Sequence, residues 1–122
     1  MHWFAKLVLI VIGNAFALWL ANRIVPGFVL SAEAWQLAAI ALVLAVLNFI
    51  LKPIFTLILG PVIILTLGLG VIIVNAVILY LLPILTNQLD FLRGSITIQS
   101  IPALIFATII VGAVNFFIHL AT

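Results

Sequence analysis

Cysteine is absent from the chain, which removes disulfide staples and thiolate metal sites from consideration. Charge is nearly as scarce, with four Lys or Arg and two Asp or Glu among 122 residues. The two carboxylates, Glu33 and Asp90, sit in or beside connecting segments, so no acidic residue stands inside an apolar stretch to serve a proton relay or an ion-coupled carrier. His2 and His119 are isolated and lie near the ends, a placement that suits solvated imidazoles rather than metal ligands. There is no glycine-rich phosphate loop and no nucleophile beside a base. Thr66-Leu67-Gly68-Leu69-Gly70 lacks the spacing of a nucleotide motif, and its glycines read as thinning a helix for packing. These absences argue against an enzyme and call for no cofactor and no metal. A net charge of +2 resting on so few groups leaves no footprint for nucleic acid.

Long polar runs are lacking too. The most polar stretch, Thr86 to Ser100, is too short to bury a core of its own, so no soluble domain can be cut from the chain. What remains is apolar: 69% of the residues are hydrophobic, in runs too long and uniform for a small soluble domain. The expected class is an all-α integral membrane protein with membrane lipid as its main surroundings. The first apolar run, Trp3 to Ile24, is longer than a signal h-region and no small-residue cleavage pattern follows it, so it is read as a retained helix.

Four spans are expected. Helix 1 runs from about Phe4 to Ile24 and stops at Pro26-Gly27. Helix 2 begins after Ser31, a plausible N-cap with Glu33 in the first turn, and runs to Leu51 before Lys52-Pro53. The stretch Ile54 to Gly60 is too short to span alone and reads as an interfacial turn of helix or a kinked extension. Helix 3 covers Val62 to Leu82, ending at Pro83, and helix 4 runs from Pro102 to about Leu120, with its proline in the first turn where the missing donor costs nothing.

One asparagine interrupts each of the four apolar stretches: Asn14, Asn48, Asn75 and Asn115. An amide in hydrocarbon is costly unless it finds a partner, so one per helix suggests interhelical amide contacts within a bundle or between copies. The asparagines also mark an internal repeat. Asn14-Ala15 and Leu18-Trp19-Leu20 recur 61 positions on as Asn75-Ala76 and Leu79-Tyr80-Leu81, and past a six-residue insertion Gly27 and Asn48-Phe49 recur 67 positions on as Gly94 and Asn115-Phe116. The expectation is a single transmembrane domain, 1–122, built from two helix hairpins of about 1–55 and 62–122. Two spans per copy make them parallel repeats about an axis along the membrane normal. The matched loops carry a second signal: Ser95-Ile96-Thr97-Ile98-Gln99 alternates polar and β-branched residues after a glycine, as Phe28-Val29-Leu30-Ser31 also follows one. They either pair as a short β-ribbon outside the bilayer or form irregular loops.

On helix 2, Ala34, Ala38, Ala41, Ala45, Asn48 and Lys52 share one side, and 67 positions on stand Ile101, Ile105, Thr108, Gly112, Asn115 and His119. Such faces let backbones approach closely, which drives association in lipid. They serve either an intramolecular four-helix core or a surface that becomes hydrated when copies assemble. Asn14, Asn48, Lys52, Asn75, Thr108, Gly112, Asn115 and His119 are therefore the candidate packing or pore-lining residues. Lys6 and Lys52 lie on one side of the membrane, and Arg23 and Arg93, with acidic neighbours, on the other. This balance puts both termini in the cytoplasm. Trp3, Trp19, Trp35 and Tyr80 fall near helix ends, as interfacial anchors do.

Val25-Pro26-Gly27, Leu47-Asn48-Phe49-Ile50-Leu51-Lys52-Pro53, Pro61 with Leu65-Thr66-Leu67-Gly68, and Asn75-Ala76 together give the chain a pattern. This pattern resembles the phage holin family of the holin superfamily IV type over nearly the whole length. The most specific parts are Asn-x-x-x-Lys-Pro and Pro-x-x-x-x-Thr-Leu-Gly. The second loop departs from the usual Pro-Gly by carrying the inserted Asn87 to Arg93 segment. The resemblance implies a four-helix protein of the bacterial inner membrane that oligomerises and opens lesions, releasing or activating a cell-wall hydrolase, and so a functional link to an endolysin. The residues by themselves equally suit a non-conducting envelope protein, acting as an oligomeric scaffold or partner-binding subunit.

Overall fold

In the computed structural model, which describes residues 2–65 and 70–121, the chain folds as α1 (His2–Ile24), β1 (Phe28–Leu30), α2 (Ala34–Leu65), α3 (Gly70–Thr86), a 3-10 turn (Asp90–Leu92), β2 (Ile96–Ile98) and α4 (Ile101–Ala121). Among the described residues three helices are long and apolar enough to cross a membrane, over His2–Ile24, Ala34–Pro61 and Ile101–Ile118, and the shorter α3 is apolar as well. At 1.5 Å per residue its 17 residues reach about 26 Å, close to the ~30 Å hydrocarbon thickness of a bilayer.

The second helix does not stop where its sequence suggests. Instead of ending at Leu51, it continues through Lys52, Pro53 and Pro61 to Leu65, absorbing the segment expected to be a separate turn. A proline inside a helix frees the carbonyl four residues earlier, here those of Phe49 and Leu57. Unravelling a turn in hydrocarbon would free more groups than that, which is why membrane helices tolerate proline. The third helix correspondingly starts at Gly70, not Val62, and passes through Pro83 to Thr86. Asn87 N–H donates to Pro83 O at 3.0 Å and Thr86 Oγ1 donates to the same carbonyl at 3.2 Å, closing its last turn. The Thr66 to Leu69 part of the glycine-containing segment lies outside the described residues. Ser31 is not the cap of α2: Glu33 stands at that position, its N–H bonded to Gln36 Oε1 at 2.9 Å, as in one half of a capping box.

Each helix packs on two others, α1 on α2 and α4, and α3 on α2 and α4, so the four close into a ring. Small residues let the backbones approach: Ala17, Ala21, Ala41 and Ala107 are wholly buried, and Ala103 almost so. A Cβ on Gly13 would fall 1.7 Å from Ile118 Cδ1, so this glycine is the socket in which α4 seats an isoleucine against α1. Leu18, Ile40, Leu44, Ile78, Leu79 and Leu82 fill the space between.

The two loops pair as an antiparallel β-ribbon, with Phe28 opposite Ile98, Val29 opposite Thr97 and Leu30 opposite Ile96. Ser31 N–H to Ser95 O and Gln99 N–H to Gly27 O, both 2.8 Å, extend the ladder at either end. Gly27 and Gly94 have φ of +91° and +74°, left-handed conformations that glycine adopts without the Cβ penalty. Phe28, Leu92 and Ile96 are buried beneath the ribbon and seal that end of the bundle. The inserted segment is built in: Asn87 Oδ1 accepts from Gly94 N–H, Gln36 Nε2 donates to Phe91 O, and Trp35 stacks on Phe91 with centroids 6.0 Å apart.

Candidate membrane-embedded polar site

The four asparagines face the interior of this single bundle. Asn14 is fully buried on α1, and its Nδ2 donates to the Ala41 carbonyl of α2 at 3.3 Å while its Oδ1 accepts from no group among the described residues. A cavity of about 210 Å³ opens beside it, bounded by Ile10 and Asn14 of α1, Ala45, Asn48, Phe49 and Lys52 of α2, and Asn115 and Ile118 of α4. Asn48 and Asn115 also border a much smaller void of about 10 Å³ that reaches Asn75 of α3 and Thr108 of α4. The amides of four helices thus line one polar seam, with Lys52 at its mouth.

The remaining candidates divide around this seam. Thr108 is buried and spends its hydroxyl proton on Leu104 O of its own helix at 2.7 Å, so it faces the seam without bridging helices. Gly112 faces Asn75: a Cβ there would stand 3.7 Å from Asn75 Nδ2, an ordinary contact. His119 lies in α4, but its side chain is outside the described set. The stripe on α2 is split, with Ala41 and Ala45 buried and Ala34 and Ala38 exposed. On α4, Ile101 and Ile105 are exposed in the same way while Thr108 is buried. Among the described residues, the members of each stripe away from the ribbon are buried or half-buried and those toward it are exposed. The segment continuing past Lys52, missed because Pro53 reads as a stop, forms a groove of about 560 Å³ with Asn48, Phe49, Thr56 and Leu57 that adjoins the cavity.

Charges separate by end. Glu33, Asp90, Arg23 and Arg93 belong to the ribbon end, where Arg93 pairs with Asp90 at 2.9 Å and Arg23 lies 5.4 Å from the Trp19 ring centroid. Lys6 and Lys52 belong to the opposite end, which has no carboxylate side chain among the described residues. Trp3, Trp19, Trp35 and Tyr80 are all exposed, as lipid-interface anchors must be. No group of three or more His, Asp or Glu able to hold a metal occurs among the described residues.

The ring of apolar helices and the amide seam within it define a small multi-pass membrane protein. Residues 5–117 match the family model for the mycobacterial four-span phage holins of superfamily IV, and the chain belongs to that family. An uncharacterized protein of Streptomyces coelicolor is 36% identical over 77 residues, covering 62% of this chain and 62% of that protein. The aligned part therefore spans less than two thirds of the relative's length. No solved structure matches the chain.

Proposed function

We propose that the protein is a holin-like permeabiliser of the bacterial inner membrane, in which copies associate and separate their helices so that the amide seam becomes the hydrated wall of a lesion. The observation that carries this reading is the gathering of Asn14, Asn48, Asn75 and Asn115 around one partly empty polar seam, in a chain of the holin family. Amides so arranged meet water without any charge crossing the bilayer. Both termini are cytoplasmic in this proposal, since the lysines at their end have no acidic side chains beside them and positive residues favour that side. The protein acts without catalysis, and an endolysin is its functional partner where the gene is of phage origin. The proposed domain is a single one formed by duplication. The ring packing, in which α1 with α2 and α3 with α4 take equivalent places, supports this, as does a ribbon centred on the Val29–Thr97 pair.

A second reading is favoured by one observation: the amides already face the inside of one bundle, where Asn14 bonds α1 to α2 directly. In that reading the protein is a non-conducting envelope scaffold or partner-binding subunit. Membrane potential and dye leakage during titrated expression separate the two, beside an Asn48→Leu/Asn115→Leu variant inserted to the same level. Abrupt depolarisation at a threshold amount, lost in the variant, supports the lesion. Intact potential at high expression refutes it and leaves the scaffold.

A further inference from the structure

Asn48, Asn75 and Asn115 are each half-buried, and none of them makes a side-chain hydrogen bond among the described residues. An amide held in an apolar bundle is costly without a partner, and these three border two spaces that suit water. The larger holds about 210 Å³, several times the ~30 Å³ share of one water, with Asn48 and Asn115 in its wall and Lys52 at its mouth. The smaller, about 10 Å³, is near the lower limit for a single water and is ringed by Asn48, Asn75, Asn115 and Thr108. Thr108 spends its proton on Leu104 O, yet its oxygen can still accept.

Toward the ribbon the polar lining stops. Leu18, Ile40 and Leu82 are wholly buried, each between one and about two turns on the ribbon side of the asparagine of its own helix, and Ala107 takes the same place on α4. Phe28, Leu92 and Ile96 close the bundle behind them. Asn14 is itself wholly buried, so water stops short of its carboxamide. At the other end the ammonium of Lys52 is half-buried and far from both carboxylates, Glu33 and Asp90, which lie at the ribbon end. A mouth with one unbalanced positive charge draws anions.

We infer that the single closed bundle holds a blind, water-filled vestibule, open at the lysine end and stopped by the layer of Leu18, Ile40 and Leu82, with Lys52 favouring anions at its mouth. Amides and an ammonium hold water, whereas a layer of apolar side chains resists wetting, so this layer and not the amide seam is the barrier between the two sides. The inference stands apart from lesion formation, since a sealed scaffold would contain the same vestibule.

The lack of native cysteine makes a thiol-accessibility test clean. Full-length Asn48→Cys and Asn115→Cys are placed in sealed inner-membrane vesicles of both orientations that hold their potential, so no lesion admits reagent. They are treated with an anionic or a cationic methanethiosulfonate that does not cross membranes. Gln88→Cys, exposed at the ribbon end, reports which side each reagent reaches. Both seam thiols should react from the lysine side alone. The anionic reagent should be favoured about fivefold or more, relative to the rates of both on a free thiol, and Lys52→Gln should abolish this bias. Leu82→Cys, in the apolar layer, should stay unmodified from either side. Should Asn48→Cys fail to insert, Ala45→Cys in the same wall replaces it. Seam thiols unmodified from both sides overturn the vestibule in favour of a dry cavity, and equal reaction from both sides overturns the apolar barrier. Equal relative rates for the two reagents, or a bias that survives Lys52→Gln, overturn the part given to Lys52.

Discussion

Replacing Gly27 by alanine separates two costs that the ribbon places on one residue. Its φ of +91° puts any L side chain in the left-handed region, at about 1–2 kcal/mol. The added Cβ would also stand 3.1 Å from Ala103 Cβ, roughly half an ångström inside the ~3.5–4.0 Å optimum for two carbons. Ala103 is 1% exposed and has no rotamer to swing away, so α4 or the ribbon must shift. Overpacking of this kind adds about 1–3 kcal/mol. Gly94 is the internal control, because its φ is +74° but nothing lies within 4 Å of a Cβ built there. Gly94→Ala should therefore cost only the conformational ~1–2 kcal/mol, and Gly27→Ala at least ~1 kcal/mol more, a difference of about fivefold or larger in the folding equilibrium. Reversible unfolding in mixed micelles reads this directly through tryptophan emission, since Trp19 and Trp35 lie near the ribbon end. Ala103→Gly in the Gly27→Ala background should recover the steric part alone, as a double-mutant cycle. Equal costs at the two glycines, or no recovery on trimming Ala103, would refute the close contact between ribbon and α4.

Asn22 Oδ1 accepts from Leu30 N–H at 2.9 Å, so Asn22→Ala should cost about 1 kcal/mol and speed hydrogen exchange at Leu30 while leaving Ile78 protected. Ala107→Leu should force α4 off its neighbours and destabilise the bundle by about 1–3 kcal/mol, seen as a lowered unfolding midpoint. Asp90→Asn removes the partner of Arg93, yet both side chains are well exposed, so the same midpoint should not move.

The elements most legible in the sequence were those with signals of two kinds. The ribbon was marked both by glycine and by alternation in Ser95 to Gln99, signals that left a ribbon and irregular loops both open, and its strands pair. Helices α1 and α4, with polar residues at both flanks, begin and end within two residues of their expected places. Proline misled where it stood alone. Pro53, Pro61 and Pro83 read as stops because in water a freed carbonyl and a broken turn differ little in cost, whereas in lipid continuing the helix is cheaper. The asparagines were legible as amides within apolar stretches, but their meeting in one seam was not, because spacing along a helix fixes a face and not what it meets. The cavity depends on packing between α1, α2 and α4, and the groove beside it on the unexpected length of α2, so neither was open to a reading of single helices.

The ribbon has a mechanical consequence. It joins both hairpins at one end of the bundle by strand pairing, while at the lysine end the chain passes from α2 to α3. A bundle pinned this way would, if it opened as proposed, part as a clothes peg does. With arms of about 20 residues, or ~30 Å, a tilt of roughly 10° at the pin moves the far tips by about 5 Å. That displacement is on the order of the width of a water file, and it leaves the strand pairing unbroken. In the proposed lesion the same pin would leave the lysine edge as the end that parts first, with the amide seam as the interior it uncovers.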